Sequence, residues 1–341
     1  MNSLRFANGR IWPVLLLILL LLAACSTPAE TVEETTETVV ANEAVEPMAA
    51  DEEMTITSES RVVIDAAGNE VELPTNPQRV VALSERDMDA AFALGAPVVG
   101  VVDGRGAMAP PAYLQPYLGA AVSVGAFSAP SPEGILNLNP DLILIGGIFP
   151  ALEELLPDLQ QIAPVYISFN LGDDWKTAFL GTANALNQTA AAEAWLAEYD
   201  DYAAEIAASV PAGSTVSIVR FNPDGPVIMA PASFASTVLA EAGFTRPEAH
   251  IVIEGQGHGD TISQEALQTI DADYLFIGAL NEEGTAVLET AVANPLFTAL
   301  NAFQNDAVAV VDGAVWTTLG GPLAADSILD EVAGLLNSAG N

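Results

Sequence analysis

The sequence predicts an α/β fold of two similar lobes with mainly parallel sheets, joined by one long helix, with a ligand cleft between the lobes. Three observations predict it. Short apolar runs alternate with helical stretches after residue 76, the pattern of strands buried on both faces of a parallel sheet. One block of sequence recurs in the second half. A single Ala- and Glu-rich stretch, Thr189 to Ser209, separates the halves without a Gly or Pro to break it.

The elements follow in chain order. Residues 1–25 read as a lipoprotein signal peptide: Arg5 and Arg10 precede the apolar run Ile11 to Leu22, and Leu22-Ala23-Ala24-Cys25 resembles a lipobox that would put a lipid on Cys25. Residues 26–60, acidic and free of Lys and Arg, read as a disordered tether. The N-terminal lobe is expected over 61–188. It opens with a hairpin at Arg61 to Leu73, followed by strands at Arg79–Leu83, Val98–Val102, Asp141–Ile145 and Val165–Ile167, with a helix over Asp87–Leu94. The interlobe helix, 189–209, would run about 30 Å at 1.5 Å per residue. The C-terminal lobe, 210–341, repeats the grammar with strands at Val216–Phe221, Tyr274–Ile277 and Ala307–Val311 and a helix over Ser233–Ala242.

The repeat pairs Ser131 to Gly147 with Ser263 to Ala279. At one constant offset, Ser131 matches Ser263, Glu133 matches Glu265, Asp141 matches Asp273 and Gly146 matches Gly278. Each copy reads as a short helix capped by its serine, with a glutamate in the first turn where the helix dipole favours it, then a turn, a buried strand and a glycine. Ligands of open parallel sheets bind beyond the carboxyl ends of strands, so two such sheets place the site between the lobes. A single connecting helix resists bending, and lobe closure should be small.

Composition removes several functions. The formal net charge is −36, against the basic surface that nucleic acid requires. Cys25 is the only cysteine, which rules out an internal disulfide, thiol catalysis and a Cys-ligated zinc site in the folded part. His250 and His258 are the only histidines, too few and too one-sided for a bare metal-ion site spanning two lobes; His258 sits in a glycine-rich loop and reads as solvated. The chain has no G-x-S-x-G elbow, H-E-x-x-H or P-loop, so the expectation is a binder and not an enzyme. A secreted glycosidase or an adhesin is the alternative from a different class.

From Pro77 onward the chain resembles the substrate-binding proteins of ABC importers for ferric siderophores, haem and cobalamin. The segments that carry the resemblance are Pro77 to Leu83, Leu94 to Val101, Ser131 to Gly147, Val216 to Phe221, Ser263 to Ile277, Asn294-Pro295-Leu296-Phe297 and Trp316 to Ala325. Val219-Arg220-Phe221 and the Trp316 segment look most like the siderophore binders. The resemblance implies a small chelate ligand, an iron(III)–siderophore complex, with haem or cobalamin as the alternative. It also implies no protein-held cofactor or metal, a permease partner in the membrane, and an extracytoplasmic location with the lipid on Cys25 in the bilayer. A glutamate at the repeat helix of each lobe docks on the permease in that family; Glu133 and Glu265 match those places residue by residue.

Candidate ligand contacts follow from position and chemistry. Guanidinium groups offer fixed donors to chelate oxygens, and Arg220, Arg105 and Arg86 each stand near a strand end. Arg79 precedes its strand and is expected at the opposite end. Trp316, Trp175 and Phe149 lie where cleft loops are expected and could form aromatic walls.

Overall fold

The fold is organised around a short helix, Glu85–Ala93, that buries four charged side chains, Glu85, Arg86, Asp87 and Asp89. A buried charge is tolerated only with partners, and here the partners lie in both halves of the molecule. The structure, a computed structural model, describes residues 59–255 and 257–339. The signal peptide, Cys25 and all but the last two residues of the predicted tether lie outside the described residues.

An antiparallel hairpin, β1 (Ser60–Ile64) and β2 (Glu70–Pro74), comes first and begins one residue inside the stretch assigned to the tether. Asp65 closes its turn by accepting from Asn69 N–H at 2.8 Å. The N-terminal sheet has six strands: β3 (Val80–Ala82), β4 (Val98–Asp103), β5 (Val122–Ala126), β6 (Ala129–Pro130), β7 (Leu142–Ile145) and β8 (Val165–Ile167), in the order β6-β5-β4-β3-β7-β8. All pairs are parallel except β5 with β6. The C-terminal sheet has four: β9 (Val216–Asn222), β10 (Gly225–Ile228), β11 (Tyr274–Ala279) and β12 (Val308–Val310), in the order β10-β9-β11-β12, with only β10 antiparallel.

The repeat is visible as matched geometry. Asp141, just before β7, accepts from the backbone N–H groups of Gln78 and Arg79 at 2.7 and 2.9 Å and so ties β7 to the start of β3. Asp273, just before β11, accepts from Thr215 N–H at 2.8 Å and ties β11 to the start of β9 in the same way. Gly146 follows β7 and Gly278 is the last but one residue of β11, and neither leaves room for a side chain. A Cβ on Gly146 would lie 2.1 Å from the Phe169 ring, and one on Gly278 would lie 2.8 Å from Val311 O. The helices that open the two copies differ. Pro132–Asn137 is α-helical with Ser131 Oγ accepting from Gly134 N–H at 3.1 Å, whereas Gln264–Ile270 is a 3-10 helix whose Ser263 makes no capping bond. The expectation of two serine caps is corrected to one.

The interlobe helix runs Thr189–Ser209. Its buried residues, Ala192, Tyr199, Ala203 and Ile206, fall on one face. That face packs against the helices Trp175–Ala185, Phe234–Glu241 and Pro322–Ala339. Lys176, the only lysine, bridges to Asp200 at 2.6 Å and to Glu241 at 3.0 Å, bracing this packing.

The C-terminal helix Pro322–Ala339 starts in a carboxylate of the other lobe. Asp89 accepts from the N–H groups of Gly321, Leu323 and Ala324 at 3.2, 2.7 and 3.0 Å, and from Tyr113 OH at 2.9 Å. These are the donors that a helix start leaves unpaired, and the negative charge opposes the positive end of the helix dipole. Beside it, Arg86 donates to Gly320 O at 3.1 Å and Asp173 O at 3.0 Å, with its guanidinium over the Phe169 ring. Asp87 stays within its own lobe, accepting from Ser84, Ser168 and Thr182 hydroxyls.

Burial pushes Asp89 up to about 6, and its four hydrogen bonds pull back only part of that shift. Burial, followed by neighbouring carboxylates, raises Asp326 to about 6. Burial raises Glu331 to about 7. A carboxyl whose folded value exceeds its unfolded value binds its proton more tightly in the fold, so it stabilises the fold at low pH and the gain is lost as pH rises through the folded value. The protein should therefore resist urea more strongly at pH 5 than at pH 7.5, and Asp89→Asn should flatten part of that difference. Greater resistance at pH 7.5 would contradict these assignments.

Candidate functional site: the mouth between the lobes

Five of the seven cations after the N-terminus lie outside the mouth. Arg61 donates to the carbonyls of Asn184 and Ala185, and Arg79 to those of Leu138 and Asn139, at the opposite end of its strand as expected. Arg86 and Lys176 brace helices, as described. Arg246 donates through Nη2 to Met229 O at 2.7 Å, its Nε and Nη1 being buried without a partner among the described residues, and burial lowers it to about 10. Arg105 and Arg220 remain, and both stand at the carboxyl ends of central strands.

Arg105 follows β4. Its backbone N–H and its Nε donate to Glu85 at 2.8 and 3.2 Å, and its guanidinium lies 4.4 Å over the Phe127 ring. Phe149 meets Phe127 edge-on at 6.2 Å, so these two rings and Arg105 line one side of the mouth. Arg220 is the fifth residue of β9. It donates through Nε to Asn222 Oδ1 at 3.1 Å and through Nη1 to Thr317 O at 3.3 Å, with no carboxylate partner among the described residues. Its affinity for its proton is lowered first by burial and then by the positive charge of Arg105. The two guanidiniums, one from each lobe, thus repel each other across the mouth. The loops agree: a Cβ on Gly106, beside Arg105, would lie 3.9 Å from Leu280 and 4.0 Å from Asn281 at the end of β11.

Glu85 completes this side. It is 4% exposed, and burial raises its carboxyl, offset by the Arg105 hydrogen bonds and charge and by a backbone bond from Leu319 of the other lobe. Its neighbour in sequence, Arg86, turns to Gly320 O and Asp173 O, and the fold pairs Glu85 with Arg105.

Three expected contacts are corrected. Trp316 is fully buried, stacked on Phe276 at 4.3 Å, with its indole N–H donating to Glu331 at 3.1 Å; it is a plug in the C-terminal core and not a wall of the cleft. Trp175 is 3% exposed and packs edge-on against Trp195, Tyr199 and Phe234, joining helices across the lobe junction. Arg86 is 4% exposed and spends its donors on backbone carbonyls, so it holds the lobes together instead of facing a ligand.

Both histidines lie outside the mouth. His250 is buried against Thr269 O, and His258 sits exposed on the loop that bridges to Met229 beside β10. No three His, Cys, Asp or Glu side chains gather as a metal site among the described residues. No helix among those residues is long and apolar enough to cross a membrane. A groove of about 570 Å³ lies on the far flank between β2 and β8, lined by Asp65, Glu70, Glu72, Gln160 and Gln161 among others. It contains neither arginine of the mouth. Glu133 and Glu265 are both exposed on their matched helices.

What the mouth can do chemically is grip an anion from two sides. Both Nη atoms of Arg105, and Nη2 of Arg220, make no hydrogen bond among the described residues. Unpaired guanidinium donors of this kind match the oxygens of carboxylates and similar groups.

Comparison with known proteins agrees with this architecture. Residues 80–315 match the family model described as periplasmic binding protein. The chain is 32% identical over 275 residues to the achromobactin-binding periplasmic protein of Dickeya dadantii, covering 77% of this chain and 88% of that one. It is 29% identical over 286 residues to a probable siderophore-binding lipoprotein of Bacillus subtilis, covering 81% and 87%. Among solved structures it is similar to Staphylococcus aureus SirA in complex with staphyloferrin B, with a TM-score of 0.70, 25% identity and coverage of 81% of this chain and 98% of that one. With its two parallel-sheet lobes, its single connecting helix and a family match over most of the described residues, the chain belongs to the periplasmic binding protein family.

Proposed function

We propose that this protein is the extracytoplasmic substrate-binding component of an ABC importer, and that its ligand is an anionic ferric siderophore gripped between Arg105 and Arg220. The observation that carries the reading is the pair itself. In a chain of net charge −36, two of its few cations converge at the mouth, one from each lobe, with unpaired donors. Bringing like charges together costs energy, and an anion bound between them repays it. The names of the relatives, siderophore-binding and achromobactin-binding, support the same ligand class. The chelator supplies the iron's oxygen ligands in this reading, so the protein recognises the outer surface of the complex. Phe127 and Phe149 supply the apolar contact that was expected of Trp316. Attachment through a lipid on Cys25 belongs to the same proposal.

Delivery requires a permease. Glu133 and Glu265 are exposed on the two copies of the repeat, in the first turn of each helix, and we assign them to docking. One negative charge on each of two rigid lobes fixes the orientation of the complex and speeds encounter with a basic partner.

Two experiments test the proposal. Titration with a panel of ferric siderophores, ferric dicitrate, haemin and cobalamin should show saturable binding of anionic ferric chelates. Arg220→Ala should weaken that binding by about 1.5–3 kcal/mol, the range for hydrogen bonds to charged groups. Unchanged affinity would remove Arg220 from the site, and preference for haemin or cobalamin would overturn the ligand class. In cells, Glu133→Ala combined with Glu265→Ala should abolish uptake while leaving affinity and folding intact. Normal uptake by the double variant would show that the glutamates only complement their helices.

A further inference from the structure

We propose that Glu85 is the positioning residue of the binding mouth, which holds Arg105 so that its two terminal amines face the ligand. The inference rests on the anionic-chelate reading of the mouth. Arginine loses side-chain entropy of about 2 kcal/mol when a ligand must immobilise it, and a group already held in place spares the ligand that cost. Glu85 holds Arg105 at two points, the backbone N–H at 2.8 Å and Nε at 3.2 Å. Nε is the one guanidinium nitrogen that does not point forward in the fork, so its use leaves both Nη groups available. The Phe127 face, 4.4 Å from the guanidinium carbon, restrains the plane from the other side.

The carboxylate is itself held. Glu85 is 4% exposed at the start of the helix Glu85–Ala93, whose Ser84 cap accepts from Asp87 N–H. The Leu319 backbone of the opposite lobe adds a small pull toward its charged form. Gly104, the residue before Arg105, packs on Pro111, 3.2 Å from where a Cβ would lie. Buried at the start of its helix, Glu85 has little room to follow a moving Arg105, and the arginine is tied to that helix.

A positioning role and a merely neutralising role predict opposite signs. If Glu85 only cancelled the charge of Arg105, Glu85→Gln would make the mouth more positive and tighten an anion. If Glu85 positions Arg105, the carboxamide N–H₂ meets donors in place of an acceptor, the arginine is released, and binding weakens. The test is calorimetric titration with ferric dicitrate of the native protein and of Arg105→Ala, Glu85→Gln and the double variant, each first shown by thermal melting to be folded. The inference expects Arg105→Ala and Glu85→Gln each to weaken binding about tenfold, the size of one hydrogen bond to a charged group. The double variant should be no weaker than Arg105→Ala to within about twofold, because the two residues act as one unit. Tighter or unchanged binding by Glu85→Gln, while Arg105→Ala weakens it, would overturn the positioning role and leave the ligand reading standing. Additive losses in the double variant would show that Glu85 acts independently of Arg105 and would also overturn it. No effect of Arg105→Ala would overturn the role of Arg105 in the mouth, and the role of Glu85 with it.

Discussion

The hydrogen bonds from the start of the C-terminal helix to the Asp89 carboxylate are the constraint on which the rest of the molecule depends. A helix N-terminus leaves backbone donors without partners. Here their acceptor sits on a helix of the other lobe, beside Arg86, which takes Gly320 O from the same segment. The lobes are therefore joined by the continuous helix Thr189–Ser209, by the packing of Trp175 on Phe234 and by this polar clamp. Burying a carboxylate is expensive, as the upward displacement of Asp89 records. What that cost obtains is a specified geometry: the C-terminal helix can start in only one place.

The same short helix builds the mouth. Ser84-Glu85-Arg86-Asp87-Met88-Asp89 sends successive charged side chains to Arg105, to Gly320, to the Ser168 hydroxyl and to the C-terminal helix. One helix thus carries lobe assembly and, through Glu85, the setting of Arg105 at the mouth. Clamp and site share a backbone, so the distance between Arg105 and Arg220 is governed by the packing that joins the lobes. A binder joined this rigidly pays little to order its site when a ligand arrives.

Much of this was legible in the sequence, and the exceptions have physical reasons. The strand Val165–Ile167 and the helix Thr189–Ser209 lie where the apolar run and the unbroken helix formers placed them. The repeat foretold two lobes because it preserves Asp141 and Asp273, whose carboxylates tie equivalent strands together. Strands β5, β6 and β10 were not legible. Val122–Ala126 contains Ser123 and Gly125 in place of an apolar run, and its pairing is supplied by the edge of β4. Arg105 and Arg220 stood out because a rare cation at a strand end carries information, and the fold places both at carboxyl ends of central strands. Trp316 and Trp175 were misplaced because an aromatic at such a position serves equally as cleft wall or core plug. The deciding neighbours, Phe276 and Glu331 for Trp316, and Trp195 and Phe234 for Trp175, are distant in sequence. Glu85 was hidden by its own context: next to a serine cap, a glutamate reads as a helix-start charge, and only the return of the chain at Arg105 reveals its partner.

The central claim is that two arginines, one from each lobe, close on the oxygens of an anionic ferric chelate. A crystal structure of the protein with ferric dicitrate tests it most directly. The account predicts the chelate between the lobes, with terminal nitrogens of both Arg105 and Arg220 within hydrogen-bond distance of its oxygens and Trp316 still buried on Phe276. A chelate seated away from both arginines, whether in the groove between β2 and β8 or against an exposed Trp316, would contradict it.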